Sequence, residues 1–340
     1  MAAHTPQTVV ITGASAGIGR ALAQLYGARG DRVALLARGT DGLEGARRDV
    51  EVAGGRALAL PVDVVDADAV EAAAAEIERE LGPIDVWINN AMASVFSRIS
   101  DMTPDDFRRV TDVTYHGAVW GTLAALRRMA PRDRGTVVLV GSALAYRGIP
   151  GQAAYCAAKH AMQGFHDSLR TELMLEGSNV AVTMVQLPAV NTPQFRWVKS
   201  RLPNKAQPVP PIFQPEVIAE GIAWAADNPR ATRELIIGWP ALKAIMGNKL
   251  VPSYADRVLA RSGLESQQTG EPEDPDRPHN LWEPVDGPGG GDHGAHGAFD
   301  DRARDSSWHL WVNTHRPTIA LSAAGALAAA IGAAIAFRRG

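Results

Sequence analysis

Cysteine is all but missing: the chain of 340 residues carries one, Cys156. That count excludes an internal disulfide framework and a cysteine-rich metal site. A lone free thiol fits a reducing compartment. An excess of either charge is missing too. With 34 Lys and Arg against 37 Asp and Glu, the formal net charge of -3 argues against a general nucleic-acid binder. Long apolar runs are absent before the last 25 residues. Met1 to Gln7 is polar, and Val9-Val10-Ile11 is too short for a secretory signal and lacks a basic lead-in. Wholesale disorder is excluded by a hydrophobic fraction of 46%. The length suits one large α/β domain with extensions or two modest domains, with a core that needs neither disulfides nor zinc.

Short apolar runs alternate with helical patterns: Val9 to Ile11, Val33 to Ala37, Ala57 to Val62, Val86 to Ile88, Thr136 to Val140, Val180 to Gln186 and Glu234 to Ile237. Helical spacing falls between them, over Arg20–Arg29, Ala67–Leu81, Asp105–Met129, Tyr155–Leu175 and Pro215–Ala226. Continuous apolar strands joined by helices predict a Rossmann-type, doubly wound parallel sheet buried on both faces. Such sheets bind ligands beyond the carboxyl ends of their strands.

The residues just after the strands carry the chemistry. Thr12-Gly13-Ala14-Ser15-Ala16-Gly17-Ile18-Gly19 joins the first strand to the first helix. Glycines there allow a tight turn and close backbone approach to a pyrophosphate seated on the helix N-terminus. Asp63-Val64 follows the third strand, Asn89-Asn90-Ala91 the fourth, and Ser142 the fifth. Tyr155-Cys156-Ala157-Ala158-Lys159 opens a helix, with Tyr155 and Lys159 four apart on one face.

The ordered set T-G-x-x-x-G-x-G, Asp63-Val64, N-N-A, Ser142 and Y-x-x-x-K resembles the classical short-chain dehydrogenases/reductases over about Thr8 to Gly238. The resemblance implies a nicotinamide dinucleotide held by Gly13, Ser15, Gly17, Ile18, Gly19, Asp63, Val64 and Asn90, with Lys159 on the nicotinamide ribose and Thr192 on the carboxamide. It implies Tyr155 as acid/base, Ser142 on the substrate oxygen, and a homo-oligomer. A free tyrosine has a pKa of about 10, and a neighbouring ammonium with a positive nicotinamide is expected to pull it toward working pH. The second strand ends in Arg38, where an acidic residue would read an NAD ribose. A guanidinium there favours the 2′-phosphate of NADP(H), with NAD(H) the alternative.

Three departures stand out. Thr114 occupies the place where the family carries an Asn understood to hold a water linking Lys159 to solvent. Met92 replaces the Gly of N-N-A-G, and Pro188 to Thr192 is one residue shorter than the family loop. Phe195, Trp197, Ile212 and Phe213 in the stretch 194–214, where the family builds its substrate lid, suggest an apolar substrate.

Residues 1–262 are therefore expected to form the catalytic domain, and 263–317, rich in Gly, Pro and Asp, a flexible extension with anchors at Leu281-Trp282 and Trp308–Trp311. Asp292, His293 and His296 read as solvated loop and not as a metal site. Thr318 to Phe337 carries no charge, and twenty helical residues reach about 30 Å, enough for a bilayer core. The expectation is a cytoplasmic oxidoreductase that interconverts a carbonyl and an alcohol, with membrane association through this tail. Two rival readings are a cofactor-binding scaffold or sensor with little turnover, and an epimerase or dehydratase of the same family.

Overall fold

A computed structural model of the chain describes residues 4–286 and 291–315. Its centre is a seven-stranded parallel sheet made of β1 (Thr8–Thr12), β2 (Arg32–Ala37), β3 (Arg56–Pro61), β4 (Val86–Asn89), β5 (Thr136–Val140), β6 (Ala181–Gln186) and β7 (Glu234–Ile236). Across the sheet the order is β3-β2-β1-β4-β5-β6-β7, every pairing parallel. The order reverses between β1 and β4, so the loops after those two strands part and leave a crevice.

Alternation along each strand feeds two cores. Val9 and Ile11 of β1, with Val33 and Leu35 of β2, pack against α1 (Gly17–Ala28), α2 (Thr40–Val52) and α7 (Pro215–Asp227). Val10, Ala34 and Leu36 face the other way, toward α3 (Ala67–Leu81), α5 (Gly117–Met129) and α6 (Ala153–Leu175). All five residues of β1 are buried, which is why the strand reads as a continuous apolar run. The helix expected over 105–129 is interrupted: α4 (Pro104–Thr111), capped by Thr103, meets a wider π-helical turn, Asp112–His116, before α5 begins.

After α8 (Trp239–Leu250) and α9 (Pro252–Ser262) the extension turns back over the domain. Gln268–Pro272 adds antiparallel to Asn204–Ala206, and Ala303–Arg304 adds parallel to Ile212–Phe213. Arg20, nearly buried in α1, pairs with Asp49 (2.7 Å) and with Asp292 of the extension (2.8 Å). Leu281 is fully buried, and α10 (Trp308–Thr314) buries Leu310. The loose connector expected from composition is thus, over its described residues, a docked strap. Its polar backbone and charges find partners on the domain, which residue composition does not encode. Thr318 to Phe337 lies outside the described residues. Among the described residues no helix is long and apolar enough to cross a membrane.

Candidate active site

The turn after β1 is built for close approach. Gly13 and Gly17 take φ of 67° and 58°, a region L side chains avoid. A Cβ on Gly13 would lie 2.9 Å from Ala91 Cα, and one on Gly19 would fall on the carbonyl oxygen of Gly13. Thr12 Oγ1 accepts the N–H groups of Asn90 and Ala91 at 3.0 Å each. Asn90 Nδ2 returns bonds to the carbonyls of Thr12 (2.9 Å) and Gly13 (3.2 Å). The ends of β1 and β4 are thereby tied into one rigid rim.

A cavity of about 530 Å³ opens along this rim. Gly13, Ser15, Gly17 and Ile18 line it with Arg38, Val64 and Asn90, as do Ser142, Tyr155 and Lys159, and Thr192 packs beside Gly17. Two expected residues are not among its walls. Gly19 serves the turn from behind. Asp63 accepts Arg109 Nη2 at 2.6 Å and the Val65 N–H at 3.3 Å, so its carboxylate is engaged within the protein. Arg109 also donates to the Leu281 carbonyl (3.0 Å) and lies over the Trp282 ring, so the strap covers this corner.

The catalytic candidates come from two elements. Ser142 follows β5; its N–H donates to Gln186 Oε1 (2.7 Å), and its Oγ accepts the Leu144 N–H (3.1 Å). Gln186 in turn donates to Glu234 (2.6 Å), which accepts Tyr146 Oη at 2.8 Å. This network is not legible in the sequence, since its members are far apart in the chain and only Gln186 and Glu234 sit in strands. Tyr155 and Lys159 occupy the first two turns of α6, and Lys159 Nζ donates to the Val140 carbonyl at 2.6 Å, 5.7 Å from the Tyr155 ring centre. Burial pushes the Lys159 amine down to about 7.

Burial raises the Tyr155 phenol well above its ordinary value, with the Ser142 hydroxyl opposing, so the chain's own residues do not pull it toward neutrality. Thr114 offers no hydroxyl for a water next to Lys159: Oγ1 accepts the Ala93 N–H and donates to the Ala93 carbonyl, both at 3.0 Å. His116 instead bonds Asp112 at 2.9 Å. His293 and His296 of the strap are paired, with His296 and its partners still exposed to solvent. His296 bridges Asp300 (2.7 Å) and Glu216 (2.9 Å), and His293 packs edge-on to Trp197.

The residues at the dinucleotide end fit an adenine dinucleotide, with a turn that has no room for side chains, a helix start whose Gly17 N–H donates to the Gly294 carbonyl at 3.1 Å, and a cation at the end of β2. That cation is occupied. Arg38 donates from Nη1 to the carbonyl of Trp282 at 2.6 Å and from Nη2 to that of Asn280. Asn280, Asp286 and His293 join the cavity wall, and nothing in the sequence period signalled them.

The chain matches the family model described as short chain dehydrogenase over residues 7–202. It is 32% identical over 279 residues to the uncharacterised oxidoreductase YxnA of Bacillus subtilis, covering 82% of this chain and 78% of that protein. A fatty acyl-CoA reductase of Acinetobacter baylyi is 30% identical over 221 residues, covering 64% and 72%. Among solved structures, a metagenomic short-chain oxidoreductase in complex with NADP matches with a TM-score of 0.58 and 27% identity, covering 68% of this chain and 96% of that one.

Proposed function

Because the chain belongs to the short-chain dehydrogenase family and is an NAD(P)-dependent dehydrogenase/reductase, we propose that it interconverts an apolar carbonyl and its alcohol with NADP(H). The observation that carries this reading is convergence: Ser142, Tyr155 and Lys159 line the same cavity as the glycine turn. A nicotinamide cofactor, when bound, would supply hydride-transfer chemistry there. The Ser142 hydroxyl donates to the substrate oxygen and steadies its charge. The Tyr155 phenol, kept protonated by burial, delivers the proton to that oxygen in reduction and takes it back in oxidation. Lys159 holds the ribose hydroxyls and lends positive charge when protonated.

Arg38, with Ser15 nearby, favours the 2′-phosphate. A phosphate makes charge-assisted bonds to the guanidinium that neutral strap carbonyls cannot match. An apolar substrate is supported by Phe195, Trp197 and Ala241 in the cavity wall, and by the fatty acyl-CoA reductase among the relatives. The rival reading, a cofactor-holding scaffold with little turnover, draws on Thr114, whose hydroxyl is locked on Ala93. A panel of aliphatic and aromatic aldehydes and ketones, followed by NADPH absorbance, separates the two. Turnover that is lost in Tyr155→Phe supports the enzyme, whereas no turnover on any member, with intact cofactor binding, favours the scaffold.

A further inference from the structure

Residues 280–286 of the strap cross the end of β2, where Arg38 spends its guanidinium on the Asn280 and Trp282 carbonyls. A few residues on, the Asp286 carboxylate accepts the Gly42 N–H at 3.0 Å. Two glycines make its room. A Cβ on Gly39 would coincide with that carboxylate, and one on Gly42 would lie 2.5 Å from Asp286 Oδ2 and 2.8 Å from Ser15 Cβ. Asp286 therefore stands beside Ser15, Gly39 and Gly42, and all four line the cavity together with Arg38. Among the described residues no Lys, Arg or His comes within ion-pair distance of it. Burial raises its carboxyl, the Gly42 N–H and the nearby His293 oppose that rise, and Asp41 adds a second negative charge. The same strap is pinned twice more, by the Gly17 N–H on the Gly294 carbonyl (3.1 Å) and by Arg20 on Asp292.

We propose that Asp286 is a specificity-determining residue of the dinucleotide site: an anion carried in by the extension that occupies the 2′-phosphate end and opposes Arg38 there. The inference rests on the nicotinamide reading above. A 2′-phosphate must displace this carboxylate or bear its repulsion. A ribose diol carries no charge and does neither. Arg38 attracts the phosphate and Asp286 resists it, so selectivity is set by the balance of two residues nearly 250 positions apart.

The test is calorimetric titration of the full-length chain with adenosine 2′,5′-bisphosphate and with AMP. Asp286→Asn keeps an oxygen for the Gly42 N–H and removes the charge. It should bind the bisphosphate about tenfold more tightly than the parent, with AMP changed by less than about twofold. Asp286→Ala, which also removes the acceptor, should move the ratio the same way, and circular dichroism checks that both variants are folded. An unchanged ratio of affinities in both variants overturns the role of Asp286 and leaves the cofactor reading standing. Failure of the parent and both variants to bind either nucleotide overturns the cofactor reading and this inference with it.

Discussion

At the scale of single residues, burial drives the two ionisable groups of the reacting centre apart. Lys159, 2% exposed, has its amine lowered to about 7, while the Tyr155 phenol is raised. As pH rises through about 7, Lys159 loses its proton and Tyr155 keeps its own. Carbonyl reduction that depends on the ammonium should then fall with a midpoint near 7, read from the pH profile of kcat/KM. A flat profile from about pH 6 to about pH 9 contradicts that role. Stability carries the opposite signature. The folded value lies below the unfolded value of 10.5, so the unfolded chain binds more protons between the two, and stability rises with pH across that window. Lys159→Met should remove this slope in melting experiments. Arg38→Asp should shift cofactor preference toward NAD(H), as the ratio of kcat/KM for the two cofactors; an unchanged ratio would sink the phosphate role of Arg38.

At the scale of elements, what could be read depended on where each segment finds its partners. β1 and β2 were legible because burial on both faces writes an unbroken apolar run. The glycine turn and the Tyr155–Lys159 pair were legible because their spacing is local. The break at Asp112–His116 was not, since a change of helical winding leaves the side-chain pattern nearly intact. The strap was illegible for a related reason. It is held by strand addition at Asn204–Ala206 and by bonds such as Arg38 to Asn280 and Asp286 to Gly42, which have no period. Of its expected anchors, Leu281 and Leu310 are buried, whereas Trp282, Trp308 and Trp311 are exposed. In sequence, the uncharged run from Thr318 begins four residues after the end of α10 and seven after Trp311. The membrane association expected of that run is tested by deleting Thr318 to Gly340: a shift from the membrane pellet to the supernatant supports it, and an unchanged distribution contradicts it.

At the scale of the whole molecule, one sheet supplies both ends of the site, and the extension closes over it. The switch between β1 and β4 opens the crevice, and the loops after β5 and β6 bring Ser142 into the cavity and Thr192 beside Gly17. Strand additions at Asn204–Ala206 and Ile212–Phe213 fasten the strap to the segment that flanks the apolar half of the cavity. Cofactor end and substrate end are therefore bridged by the same stretch of chain. Hydride transfer within this cavity is the central claim. Its most direct test uses NADPH deuterated at the transferring C4 position, with an apolar aldehyde and mass analysis of the alcohol formed. The parent should place one deuterium on the former carbonyl carbon, and Tyr155→Phe should slow this by about a hundredfold or more. An alcohol without deuterium, or a Tyr155→Phe variant as fast as the parent, would contradict it.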